Sequence, residues 1–404
     1  MKRLLLVNTS VNSGSTGRIA EQIGQTAIAH GFESYFGYGR VGRVSQSHLI
    51  KIGAEWDVRF HGVESLLLDN HGFGSRRATS KFVEEIERIK PDIINLHNIH
   101  GYYLNFEILF GYLVKKDIPV VWTLHDCWPF TGHCAHYIRV QCDRWKRGCY
   151  CCPNRGIYPK SLFWNRSRRN YQVKRRLFTS LSNVTIVCPS KWLAEDVRQS
   201  FLNCYDVKTI YNGVDISVFQ PLDTTSIRRR MGLPDKCRVV LGVASLWTSN
   251  KGLFDFYKLR ETLGEGYQII MIGLNENQIN SLPRGIVGIR RTESVEQLAE
   301  LYSLADVFVN PTYVDNFPTT NIEALACGTP VVTYRTGGSP EAIDEHTGMV
   351  IEQGNIRQLK NAIENIAPKK SFYTEACRKR AVENFNMHER FSDYVELFDQ
   401  LIKS

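Results

Sequence analysis

The sequence predicts an α/β protein made of two doubly wound parallel sheets, and three observations carry that expectation. Short apolar runs alternate with helix-compatible stretches through the first half of the chain. The alternation restarts after a turn-rich stretch, YNGVDISVFQPLD at 211–223. The 404 residues, 43% hydrophobic and 23% charged, suffice for two or three ordinary globular domains. A small disulfide-stapled fold, a mainly disordered chain and a multi-span membrane protein are thereby excluded.

In the first half, RLLLVN (3–8) is an apolar run of strand length, followed by the loop STGR and a helical stretch from Ile19 to His30. DIINL (92–96) and PVVWTL (119–124) are further strands, with the helical FEILFGYLVKK between them. TIVCP (185–189) leads into SKWLAEDVRQSF, a helix opened by Ser190 as N-cap. In the second half CRVVLGVA (237–244), YQIIMIG (267–273), DVFVNP and PVVTY read as strands, while KGLFDFYKLRETL, SVEQLAELYSLA (294–305) and TNIEALACG read as helices. The expected organisation is a first domain over 1–215 with an insert at about 126–180, a second over 216–386, and a C-terminal helix over 387–404 packing back on the first. Two such sheets facing across a cleft present to it the carboxyl ends of their strands, where ligands of doubly wound sheets bind.

The formal charge is +9, but it is not spread evenly. Between Arg139 and Arg176 stand twelve cations and one acid, Asp143, so that segment carries +11 and the remainder −2. Any anionic partner that explains the excess is therefore met locally. MKRLLLVNTS is too short in apolar residues for a secretory signal, and no stretch approaches a membrane span. The expectation is a cytoplasmic protein whose eleven cysteines are thiols or metal ligands rather than disulfides.

The segment PTYVDNFPTTNIEALACGTPVV (311–332) is the most informative. A strand ends at Pro311, a loop carries Asp315, Asn316 and Phe317, and a helix opens at Pro318 or Thr319 with Glu323 one turn in. The free N–H groups and positive end of that helix, around Thr319 and Thr320, make an anion site. Carboxylates on either side suit a nucleotide sugar: each accepts from hydroxyls, of the sugar at one end and the ribose at the other, with the diphosphate between. In SLWTSNKGLFDF (245–256), Lys251 opens a helix and places an ammonium where charge builds up on a leaving nucleotide. Gly14 and Gly17, in SGSTGRI, let backbone approach a ligand closely.

The 311–332 segment resembles the acid-loop-acid signature of the retaining GT-B glycosyltransferases of family 4, usually Glu, Gly, Phe, Gly and a second Glu eight residues after the first. Here the first acid is Asp315, Asn316 and Pro318 stand where the two glycines usually do, and the second acid is Glu323. Ala324, Gly328, Pro330, Val331, Gly337, Gly338, Pro340 and Glu341 also match. The resemblance implies a GT-B fold and transfer of a sugar, with retention, from a nucleotide-diphosphate donor to a saccharide acceptor, for many relatives a lipid-linked one, in surface polysaccharide (colanic acid, capsule, lipopolysaccharide) assembly. It implies that Glu323 holds the ribose diol, that Asp315 and the backbone after it touch the sugar, and that Gly14 and Gly17 lie near the donor phosphates or the acceptor. It also implies that His125 is a catalytic, donor-sugar histidine oriented by Asp126, with His97 and His100 on the acceptor side. No catalytic metal and no protein nucleophile are expected. The family often has an Arg six residues before the lysine; here that position is Ser245, leaving Arg290 or Arg291 as the second phosphate cation.

Six cysteines fall within 127–152. Cys134, Cys142, Cys149 and Cys152, spaced C-x7-C-x6-C-x2-C, could close a structural zinc site, with His133 and His136 as substitutes and Cys127 and Cys151 spare. Free thiols or adventitious disulfides are the alternatives. In the basic stretch that follows, Trp164, Tyr171 and Phe178 recur every seven residues with Leu181 beside them, as in an amphipathic helix. Such a helix suits an anionic membrane surface met through 139–176, placing the protein peripherally at the inner face of the plasma membrane; alternatively the aromatic seam packs on the core with the charges solvated. The two readings are compatible if the seam is core while the cations face lipid. Two rival functions are a nucleotide-sugar 2-epimerase on the same plan and a zinc-containing nucleic-acid binder. The second leaves the acid-helix segment unused, so nucleic acid is not the expected partner.

Overall fold

A computed structural model describes residues 1–403 and divides the chain into two compact units, one of Met1–Ile210 with the residues from Arg390 onward, the other of Tyr211–Glu389. The first unit holds β1 (Lys2–Asn8), β2 (Phe32–Tyr38), β3 (His48–Lys51), β4 (Ile93–Leu96), β5 (Val120–Thr123), β6 (Val184–Cys188) and β7 (Asp206–Thr209). They form one sheet in the order β3-β2-β1-β4-β5-β6-β7, all neighbours parallel. In the register, Leu5 lies opposite both Tyr35 and Ile94. Strands β4, β5 and β6 are buried throughout, as expected of a parallel sheet covered on both faces. Beyond the elements expected from sequence, residues 32–90 supply β2, β3 and the helices Glu55–Leu68 and Arg76–Ile89.

The second unit repeats the plan with β8 (Arg238–Val243), β9 (Tyr267–Ile272), β10 (Ile286–Ile289), β11 (Val307–Asn310), β12 (Val331–Tyr334) and β13 (Gly348–Ile351). Its order is β10-β9-β8-β11-β12-β13, again all parallel. In each sheet the strand order reverses direction next to the first strand, between β1 and β4 and between β8 and β11. Beyond the carboxyl ends of those strands the loops diverge, and ligand-binding groups collect there.

The helix Met387–Lys403 ends the chain, with Phe391, Tyr394, Val395, Leu397 and Phe398 buried. Phe398 meets the Phe32 ring edge-on at 6.4 Å, and Asp399 accepts from the Lys2 ammonium at 2.6 Å.

The basic segment takes the second of its two expected readings, with a shorter helix. Its helix spans only Ser167–Phe178; Tyr171, Phe178 and Leu181 are buried, and Phe178 packs edge-on or tilted against Phe106, Phe110 and Trp122. The aromatic seam is therefore core, because the hydrophobic gain from burying it in the first unit exceeds what exposure would allow. Trp164 lies outside the helix and is 55% exposed. Lys174 is also core: its ammonium donates to the carbonyls of Trp128 and Thr131 and lies 3.3 Å from the centre of the Trp128 ring. Burial drives its pKa well below the usual lysine range.

Candidate active site

In the second unit the site forms where β8 and β11 end. The loop after β8 is tied down by Trp247, whose indole N–H donates to the Ile272 carbonyl at 2.8 Å. The Asn250 carbonyl then accepts from the Tyr313 amide at 2.8 Å and the Thr312 hydroxyl at 3.3 Å, joining this loop to the one after β11. Gly252 makes the junction possible: its φ is +76°, and a Cβ there would lie 2.3 Å from the Pro311 carbonyl oxygen. The result is an ion pair, Lys251 Nζ to Asp315 Oδ2, at 2.6 Å, with the two side chains 36% and 18% exposed.

Beyond Asp315 the chain turns inward. Phe317 is buried against Tyr211 and Phe385, and Pro318 then stands at the N-cap position of the helix Thr319–Ala326. No side chain caps that helix and no acid occupies its first turn, so the helix's own residues do not neutralise its positive end. The Asn310 amide donates to Asn321 Oδ1 at 2.8 Å, and the Asn316 carbonyl accepts from the Gly338 amide at 2.7 Å, fixing the loop to the TGGSP turn. Glu323, half-buried, accepts at Oε2 from the Tyr302 hydroxyl at 2.9 Å. Tyr302 carried no sequence signal, since the pairing reaches across 21 positions between two helices. Arg290 sits exposed after β10 and pairs with Glu276 at 2.7 Å; Arg291 is exposed beside it.

In the first unit the histidines gather at the ends of β4 and β5. His97 Nδ1 is 2.9 Å from His125 Nε2, and the rings stack at 5.2 Å; the other nitrogen of His97 meets Asn95 Oδ1 at 2.9 Å. Asn95 is fixed by donating to the Val121 carbonyl and the Thr123 hydroxyl oxygen. An asparagine inside the apolar run DIINL is the sequence signal that could have found this support. Burial lowers the His125 pKa to about 4 and holds that of His97 well below its ordinary value, so both imidazoles are neutral at ordinary pH.

Asp126 does not orient His125. Its Oδ2 lies 2.8 Å from His100 Nε2, because the chain has turned between positions 125 and 126, and the other His100 nitrogen meets the Tyr158 hydroxyl at 3.0 Å. Burial alone would raise the Asp126 carboxyl, but the adjacent His100 and the Trp128 amide hold it at about 2. His71 and Tyr158, absent from the sequence candidates, complete this cluster, with rings 5.5 Å apart. The first loop is set by Gly17, where a Cβ would meet the Ser10 carbonyl oxygen at 2.8 Å; Gly14 opens the helix Gly14–Ala29.

Comparisons with known proteins give the family and the fold. Residues 17–218, half of the chain, match the family described as Glycosyltransferase Family 4, and residues 237–368 match Glycosyl transferases group 1. The chain belongs to glycosyltransferase family 4. It is 24% identical over 416 residues to WcaC of Escherichia coli K12, described as a colanic acid biosynthesis glycosyl transferase, covering 98% of this chain and 100% of WcaC. Its fold matches sucrose-phosphate synthase from Thermosynechococcus elongatus with a TM-score of 0.75 at 18% identity, covering 100% of each chain. It also matches Anabaena Alr3699/HepE, solved with UDP-glucose, with a TM-score of 0.67 at 14% identity, covering 99% of this chain and 100% of HepE. The protein is thus a GT-B glycosyltransferase similar to polysaccharide-biosynthesis enzymes.

The Cys-rich insert of the glycosyltransferase gathers Cys134, Cys142, Cys149 and Cys152 around one small cavity together with His133. All eleven cysteines are free thiols. A hydrogen bond from Cys134 to Cys152, reinforced by burial, raises the Cys134 pKa well above its ordinary value, and the same bond, against the opposing effect of burial, lowers that of Cys152 to about 6. Among the described residues, no three His, Cys, Asp or Glu side chains stand as a ready metal-holding group. His133 is held instead by Asp69, Nδ1 to Oδ1 at 2.6 Å. No helix among the described residues is long and apolar enough to cross a membrane.

Proposed function

We propose that this glycosyltransferase moves a sugar, with retention of anomeric configuration, from a nucleoside diphosphate sugar to a lipid-linked saccharide acceptor in surface polysaccharide assembly. The observation that carries the reading is the uncapped, acid-free start of the helix Thr319–Ala326, flanked by the Lys251–Asp315 ion pair and by Glu323 on Tyr302. That arrangement offers a positive helix end to a diphosphate and a carboxylate to hydroxyls on either side. The UDP-glucose seen in HepE, a protein of the same fold, supports the donor class.

In the reaction the bond from the sugar's anomeric carbon to the phosphate oxygen breaks while the acceptor oxygen bonds to the same face. The acceptor proton passes to the departing phosphate, so no protein nucleophile enters. Lys251 and the amides at Thr319 and Thr320 stabilise the charge on that phosphate. Asp315, with the backbone of Asn316, Phe317 and Pro318, binds the sugar hydroxyls, and Glu323 the ribose diol. His125, neutral, serves the donor sugar by hydrogen bonding; His97, His100 and Asp126 serve the acceptor side. Glu323→Ala is expected to lose nearly all transfer while keeping its thermal midpoint, measured with the donor found by screening nucleoside diphosphate sugars; full activity would overturn the reading. Cys134, Cys142, Cys149 and Cys152, which line one cavity, would hold a structural zinc, which would cross-link this loop. Elemental analysis is expected to find about one zinc per chain, and its absence with every thiol titratable would refute that part.

A further inference from the structure

The helix Glu55–Leu68 is amphipathic in the wrong sense for a surface element. Its buried residues are His61 and Ser65, whereas Trp56, Phe60, Val63 and Leu67 are 65%, 72%, 52% and 37% exposed. Positions 56, 60, 63 and 67 recur at helical spacing and so form one stripe. His61 explains the inward face: its Nε2 accepts from the amides of Gly72 and Gly74, and its Nδ1 lies 2.9 Å from the Ser75 hydroxyl. Nothing comparable explains the outward one.

A second segment adjoins it. The Leu162 amide donates to the Leu66 carbonyl at 2.8 Å, and Leu162, Phe163 and Trp164 are 44%, 71% and 55% exposed. Cations border both: Arg59 lies over the Trp56 ring at 5.2 Å and Arg166 over the Trp164 ring at 5.5 Å, while Lys160, Arg168 and Arg169 are exposed. The acids of the helix are engaged, Asp57 with the Ala54 amide, Glu64 with Asn70 and Glu55 facing Arg59. Exposed aromatics ringed by arginine and lysine match the layered chemistry of a bilayer surface, apolar below and anionic at the headgroups.

We propose that Trp56, Phe60, Val63, Leu67, Phe163 and Trp164 insert into the interface of an anionic lipid bilayer, with the neighbouring cations on its headgroups. The apolar contacts thus come mainly from the helix Glu55–Leu68 and not from Tyr171, Phe178 and Leu181, which are buried. The test is flotation of the full-length protein with phosphatidylcholine vesicles containing or lacking phosphatidylglycerol. Binding is expected to the anionic vesicles, weakened on the order of tenfold or more in the double variant Phe60→Glu, Phe163→Glu, with circular dichroism and donor hydrolysis unchanged. Failure of the wild type to float, equal flotation of the variant, or a wild-type dimer that the variant splits without any vesicle binding would each overturn the proposal. Vesicle binding is read without acceptor, so its outcome is separate from that for sugar transfer.

Discussion

Glu323 and its partner Tyr302 illustrate what single residues contribute: the carboxylate was legible from its spacing to Asp315, but the hydroxyl that aims it was not. The same holds in the first unit, where His97, His100 and His125 follow apolar strands in sequence, yet which nitrogen meets which partner depends on contacts as far as 58 positions away. Their burial has a measurable consequence. His61 and His125 have folded pKa values near 4 and His97 lies well below 6.5, each lowered chiefly by burial. The unfolded chain therefore binds more protons than the folded one below about pH 6.5, so stability is full above that pH and falls toward pH 4. Urea midpoints are expected to drop steadily between pH 7 and pH 5; a flat profile would show that these histidines are not buried neutral.

Among the elements, the helix Thr319–Ala326 separates stability from function most clearly. An acid in its first turn favours the helix by about 0.3–1 kcal/mol through the dipole but repels a bound diphosphate. Thr320→Asp is thus expected to keep or slightly raise the thermal midpoint while sharply weakening stabilisation by UDP, read by thermal shift; undiminished UDP binding would remove the phosphate from this helix end. Strand and helix identities were readable because apolar periodicity is local, and FEILFGYLVKK folds as the helix Phe106–Lys116. The segment from Trp164 was legible only in part: that its aromatic seam could be core was readable, but where the helix begins was not. Its seven-residue spacing is compatible with a helix, but Tyr171 and Phe178 were claimed by the core, and Trp164 was left outside it.

For the whole molecule, the return of the chain's end to the first unit joins positions nearly 400 residues apart, as in the pair Lys2 and Asp399. Phe398 is fully buried beside Phe32, and Phe398→Ala is expected to cost about 3–5 kcal/mol. Phe372→Ala, at an 82% exposed position, should change little. Denaturant titrations of both variants check this, and equal midpoints would show that the terminal helix adds nothing. The sequence by itself determined the two doubly wound sheets, the acid-loop-acid segment and the basic, Cys-rich insert, because periodicity, turn residues and motif spacing are properties of neighbouring residues. Only tertiary structure decided that Lys251 pairs with Asp315, that Asp126 holds His100, that Lys174 is buried, and that the exposed apolar stripe lies on Glu55–Leu68. Those outcomes follow from which side chains compete best for the core and for one another's charge, and that competition is settled among residues distant in the chain.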